Sequence, residues 1–273
     1  MLAADLPSNA PEPPRGLRLT WRLLDYWVTV YKRTWRGSII TSFVNPILYV
    51  VAMGILLGGF IKADPAKLDG ARSYFDFIVP GILSAQTMQV AFGETTYPVM
   101  GAIKWHRSYF AMIATPLRVS DVVLANLGFA IFRIVSAATV FVLVMAPFGV
   151  FGSILGALGA LTVQPLLGLG FAAPVYAYSC NLKNKGGFTV IYRLLMIPLF
   201  LFSGTFFPIS NLPPALESIA QVTPLWQGVA LTRMSALDHW SSRAAIVHVT
   251  YLLALALIGT ALSVRMLNRR LMK

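Results

Sequence analysis

An all-α integral membrane protein of six transmembrane helices is the fold class this sequence predicts, and three observations predict it. Of 273 residues, 57% are hydrophobic and 12% charged, where a soluble domain carries roughly 25% charged residues. Mean hydropathy is +0.70. Six mainly apolar runs each approach the roughly 20 helical residues that a hydrocarbon core about 30 Å thick requires.

Residues 1–14 combine four prolines with Asp5 and Glu12. They lack the basic start and apolar run of a cleavable signal, and a short disordered cytoplasmic tail is expected. From Leu17 an apolar series at gaps of four and three, Leu17, Trp21, Leu24, Val28, Tyr31 and Trp35, marks a helix over 15–36. The mostly polar series beside it, Arg18, Arg22, Asp25, Thr29, Lys32 and Arg36, predicts an amphipathic helix lying in the interface with its cations toward lipid phosphates.

The first span is 39–61, broken at Asn45 and Pro46, and the second is 74–93. A polar-mixed segment, 94–120, precedes the third span at 122–150. The turn 151–153 is so short that the fourth span, 154–178, forms an antiparallel hairpin with the third. A basic loop, 181–187, leads to the fifth span at 188–207, which Pro198 should kink. The sixth is 244–264. Between these last two, 208–243 is too polar and proline-rich to span, and 212–220 and 225–236 read as short helices at or dipping into the outer surface.

Cytoplasmic segments retain Lys and Arg. With both termini inside, fifteen cations fall on the inner side and five on the outer, Lys62, Lys67, Arg72, Arg233 and Arg243. The formal charge of +12 therefore follows membrane topology and gives no soluble basic face for nucleic acid. Cys180 is the single cysteine, which excludes an internal disulfide and any CxxC site.

No GxxxxGK[ST] phosphate loop, HExxH or Gly-x-Ser-x-Gly motif occurs, and the three histidines, His106, His239 and His248, are dispersed. No catalytic or metal-ligating residue is assigned. Arg133 lies near mid-depth of the third span, where a charge is a functional candidate. It is read either as a contact for an anionic substrate group or as a structural residue, paired with a carbonyl or carboxylate of a neighbouring helix or snorkelling. Arg193, near the end of its span, should snorkel. Tyr192, Met196, Phe200, Phe202, Phe206 and Phe207 give the fifth span a soft apolar surface suited to a lipid-like or aromatic substrate, or to core packing. In 94–120 a short helix over about 102–114, ended before Pro116, would present Trp105, Tyr109 and Met112 to a partner protein or to the membrane surface.

With these residues in view, the chain resembles the permease subunits of type-2 ABC exporters, the family that includes nodulation lipo-oligosaccharide and daunorubicin-type drug export permeases. The stretch FLFSGTFFPISNLPPALESIAQVTPLWQGVALTR, 200–233, looks like the family's C-terminal signature, matched at Ser203, Gly204, Phe207, Pro208, Leu212, Pro213, Pro224, Leu225 and Arg233. Gln227 departs from it. ATPL, Ala114 to Leu117, is the second match. The resemblance implies that the outer helices form a re-entrant hairpin. It also implies that Lys104, Trp105, His106, Arg107, Tyr109, Phe110 and Met112 belong to a coupling segment docking on a separate ATPase, in a segment with fewer acids and arginines than usual.

The function so implied is the permease of an ATP-driven exporter in a bacterial cytoplasmic membrane, moving a hydrophobic or amphipathic drug, lipid or glycolipid outward. Two ATPase subunits carrying ATP and magnesium, a second permease subunit, identical or not, and membrane lipids are the expected partners, with no cofactor on this chain. A polysaccharide permease is the alternative. An integral membrane transferase would cluster its acids or histidines at one interface, and the ten acids are scattered. A secondary transporter would show paired broken repeats, and no convincing repeat is present.

Overall fold

The computed structural model describes residues 17–49, 51–52, 68 and 70–272. The expected tail at 1–14, nearly all of the first span beyond residue 49 and most of the polar connection after it lie outside the described residues. Within a bilayer each backbone amide needs a partner inside the protein, which favours helices. Among the described residues every regular element is helical.

α1 (Leu17–Tyr49) is one unbroken helix of 33 residues. It runs through Gly37 and Ser38, where the sequence divides an interfacial helix from a span, and through the expected break at Asn45 and Pro46. No proline before Pro46 removes a ladder hydrogen bond, and α5 (Val119–Met145) supports the helix along its length. Thr20 Oγ1 donates to Asp121 Oδ1 at 3.2 Å, Leu24 abuts Gly128, and Tyr31 meets Phe129 and Phe132 edge-on. The paired numbers rise together, so the two helices are parallel. Trp21, in the expected apolar series, is 69% exposed, and the packed face centres on Leu23 and Trp27.

α2 (Tyr74–Thr95) starts where the Ser73 hydroxyl accepts the Asp76 N–H. Pro98 has no N–H for the Glu94 carbonyl, while Thr95 and Thr96 hydroxyls bond back to Ala91 and Phe92 carbonyls, a combination that bends helices. The chain resumes as α3 (Tyr97–Lys104) and, after a reversal, α4 (Ser108–Ile113). Two short helices thus replace the single one expected over 102–114. Beyond α5 lies α6 (Ile154–Asn181), capped by Ser153.

The rod 186–202 comprises α7 (Gly186–Ile191), a π turn (Tyr192–Met196) and α8 (Ile197–Phe202). Pro198 cannot donate to Leu194, and the Ile197 N–H reaches back five residues to the Tyr192 carbonyl, so the proline is accommodated by a widened turn. α9 (Pro214–Val222), α10 (Pro224–Ala236) and α11 (Ser242–Leu271) complete the chain. Among the described residues, three helices are long and apolar enough to cross a membrane, Val119–Phe148, Ile154–Asn181 and Ser242–Leu271. The rod is apolar but shorter, and Asp76, Gln86, Gln89 and Glu94 dilute the hydropathy of α2.

The centre of the bundle is α6, which packs against α2, α5, α10 and α11. Its small residues allow this. Gly156 and Gly159 lie against Ser235 of α10, Gly168 against Ile134 of α5, and Gly170 against Leu252 of α11. In return Gly259 of α11 sits on α6. A Cβ there would lie 2.6 Å from Pro174 Cδ and 2.7 Å from its backbone nitrogen. Neither atom can rotate away. Gly259→Ala should therefore force α11 off α6 and destabilise the fold by about 1–3 kcal/mol, read as an earlier transition in detergent-monitored thermal unfolding, with Gly93→Ala, which has open space, as the neutral control.

Candidate functional site

At one end of the bundle α3 and α4 present a short turn. Arg107 takes a left-handed conformation, φ 49°, costing a non-glycine residue roughly 1–2 kcal/mol, and this reverses the chain so that 105–107 project. Trp105, 58% exposed, stands there with His106 and Arg107, and Phe110 is also exposed. Lys104 Nζ donates to the Lys183 carbonyl, joining this turn to the basic loop. Met112 packs partly against the core.

Tyr109, expected on one outward face with Trp105 and Met112, instead faces the bundle. It is 1% exposed and meets the equally buried Tyr176 of α6, whose hydroxyl donates to it at 3.1 Å. In a six-residue helix, positions separated by four do not stay on one face once the Arg107 reversal starts a new helix. Burial raises the Tyr109 phenol above the ordinary tyrosine range, so it stays neutral and acts only through hydrogen bonding.

Arg133 and Glu94 form an ion pair across α5 and α2 at 2.9 Å, and the guanidinium lies 4.6 Å from the Tyr31 ring centroid. Of the two sequence readings of Arg133, this contact is pairing with a neighbouring helix. On the rod, Tyr192, Met196 and Phe200 turn inward onto the core. Tyr192 meets Phe92 edge-on and its hydroxyl is 3.1 Å from Thr96 Oγ1. Phe200 packs on Phe206 with centroids 4.9 Å apart. Phe207 is half-buried, whereas Phe202 faces out with Arg193. The structure thus gathers Tyr192, Met196, Phe200 and Phe206 on the rod's inner side and leaves Phe202 off it.

At the opposite end, α9 and α10 form a hairpin inserted beside α6. Ser235 at the far end of α10 lies against Gly156 near the start of α6, while Gly228 lies against Leu167, halfway along it. The tip therefore lies alongside the second half of α6, with Ile219 and Val222 of α9 facing outward. Its carbonyls are individually satisfied: Ala220 by the Thr223 N–H and hydroxyl, Gln221 by Gln227 Nε2, and Val222 by the Tyr251 hydroxyl. Gln227 also pairs with buried His248 of α11. The residue that departs from the signature thus holds the tip.

Two clusters were missed in the sequence. Gln164 on α6 is fully buried, accepts from Thr87 of α2 at 2.9 Å and donates to Thr232 of α10 at 3.1 Å. Ser84 joins the same Thr232 at 3.0 Å. A lone amide inside an otherwise apolar span was the available signal. Arg233, counted as an outer-loop cation, is buried: its Nη2 donates to the Gly204 and Phe77 carbonyls at 2.9 and 3.2 Å, and it stacks 3.8 Å from the Phe77 ring. Gly204 at φ +75° turns its carbonyl to that cation, a conformation that favours glycine.

These features define an integral membrane helix bundle with a projecting turn at one end and a two-helix hairpin beside α6 at the other. The family described as ABC-2 type transporter matches residues 18–237, and the chain belongs to that family, whose members are the membrane permeases, without the nucleotide-binding domain. Nodulation protein J of Sinorhizobium fredii (strain NBRC 101917 / NGR234) is 28% identical over 253 residues, covering 90% of this chain and 94% of its own. Nodulation protein J of Rhizobium leguminosarum bv. viciae is 28% identical over 254 residues, covering 90% and 95%. The inner membrane transport permease YadH of Escherichia coli (strain K12) is 23% identical over 214 residues, covering 73% and 79%.

Removing either hydroxyl of the Tyr109–Tyr176 pair leaves its buried partner unsatisfied. Tyr109→Phe and Tyr176→Phe should each destabilise by about 1–3 kcal/mol. The double variant should lose clearly less than the two added together, which a double-mutant cycle by chemical denaturation in detergent tests.

Proposed function

We propose that this permease exports a hydrophobic or amphipathic molecule, a drug, lipid or glycolipid, across a bacterial cytoplasmic membrane, driven by ATP hydrolysed with magnesium on two copies of a separate ATPase. The observation that carries the coupling role is the projecting turn Lys104, Trp105, His106, Arg107 and Phe110. Its exposed aromatics are mounted on a helix whose Tyr109 is locked to α6, so a push on the turn reaches the element on which the other helices pack. Aromatic and cationic side chains around a rigid anchor suit a protein partner. The apolar rod, with Phe202 on its outward face and Tyr192, Met196 and Phe200 packed on the core, supports an apolar pathway along this chain and favours amphipathic cargo over polysaccharide. Arg133, held by Glu94, is read as the group that meets an anionic cargo.

Six crossings are assigned to the first span at 39–61, the bent pair α2 and α3, α5, α6, the rod, and α11, with both termini cytoplasmic as the cation count requires. The hairpin is read as re-entrant. Its support is the satisfied carbonyls at 220–222, since backbone at membrane depth has no water to turn to.

Trp105→Ala and Phe110→Ala should weaken co-purification of the ATPase, or substrate-stimulated hydrolysis, by about tenfold or more, with membrane insertion unchanged. Normal hydrolysis and export by the double variant would remove the coupling assignment. For the hairpin, a cysteine at Gln221 in a Cys180→Ala background should resist membrane-impermeant maleimide from both sides while one at Ser210 reacts from outside. Rapid outside labelling of the 221 cysteine would place the tip at the surface.

A further inference from the structure

Between the projecting turn and the end of α11 lies a pocket of about 700 Å³ lined by Ile103, Lys104, Trp105, Arg107, Phe110 and Arg270. Among the described residues three cations line it and no carboxylate does. We propose that this pocket holds the phosphate headgroup of an anionic phospholipid, whose acyl chains run along α11, and that the lipid ties the C-terminal helix to the α3–α4 turn.

Four features lead there. Arg270 lies in the last turn of a 30-residue helix apolar enough to cross a membrane, so the pocket sits where an apolar helix meets headgroups. Basic pockets between helices at that level recognise phosphate headgroups. Trp105 and Phe110 are exposed beside the cations, and a tryptophan ring with apolar body and N–H edge is suited to this boundary. Met266 and Leu262 precede Arg270 by four and eight residues, on one helix face; Met266 is half-buried and Leu262 39% exposed, a track for an acyl chain. Lys104 gives one N–H to Lys183 and, as an ammonium with three donors, keeps two for phosphate oxygens.

An acidic protein face would satisfy the cations but has no use for that apolar track. The proposal requires only that the chain resides in a membrane, and its test uses the permease alone, so failure of the coupling reading leaves it standing and the reverse also holds.

The permease is reconstituted in phosphatidylcholine nanodiscs containing graded amounts of brominated phosphatidylglycerol or brominated phosphatidylcholine. The quenching specific to Trp105 is taken as the difference from Trp105→Phe. Phosphatidylglycerol should quench at an at least roughly tenfold lower mole fraction than phosphatidylcholine, and the preference should vanish in the triple variant Lys104→Gln, Arg107→Gln, Arg270→Gln. If the triple variant fails to fold, Arg270→Gln alone should weaken the preference several-fold. Equal quenching by both lipids in the wild type overturns the proposal. Displacement of brominated phosphatidylglycerol by millimolar inorganic phosphate also overturns it, making the pocket a free-phosphate site. Absent lipid preference together with loss of ATPase binding in the triple variant would assign the pocket to the protein partner instead.

Discussion

Close approach of backbones along α6 is the constraint on which the other contacts depend. Among lipid tails, two helices gain no hydrophobic free energy by meeting, so association relies on van der Waals fit and on hydrogen bonds between them. Glycines at 156, 159, 168 and 170 let α10, α5 and α11 come near enough for that fit, and Gly259 answers from α11 by seating on Pro174. With these distances set, short polar side chains can bridge helices: Ser263 of α11 donates to the Ala173 carbonyl at 2.8 Å, and Gln164 reaches both α2 and α10. Larger residues at the glycine positions would lengthen those bonds and leave buried polar atoms unpartnered.

The same accounting applies to the proline-rich hairpin beside α6. A tip ending one helix at Val222 and starting another at Pro224 leaves carbonyls without intrahelical donors. Here Thr223, Gln227 and Tyr251 supply donors from three directions, while Pro224 removes one N–H that would otherwise need an acceptor. Arg233 performs the complementary task at the other end of α10. Its charge is spread over two carbonyls and an aromatic face, an arrangement suited to a planar guanidinium and unavailable to lysine. It fastens the hairpin to α2 and to the turn after the rod.

Helical class, the apolar helices and the family signature were legible in the sequence because each rests on local pattern: apolar run length, proline placement and the residues 200–233. What was not legible depended on partners distant in the chain. Nothing near Tyr109 announces Tyr176, so an aromatic in a cationic segment read as outward. Arg233 looked like a loop cation because topology counting sees charge and not the carbonyls that receive it. α1 looked divisible at Gly37 because its support, the parallel face of α5, lies some hundred residues away. Gln227 looked like a flaw in the signature until the Gln221 carbonyl stood opposite it.

The rod 186–202 is built differently from the bundle it joins. Where α6 is held on several sides, the rod turns Val190, Leu194, Leu195, Ile197, Leu201 and Phe202 outward and touches the core through Phe188, Tyr192, Met196, Leu199 and Phe200. Its ladder is widened at 192–196, where each turn is held by poorer hydrogen-bond geometry than in an α-helix. Low local stability is concentrated in elements that move. The rod and α6 meet through Phe92 of α2, whose ring contacts both Phe171 of α6 and Tyr192 of the rod.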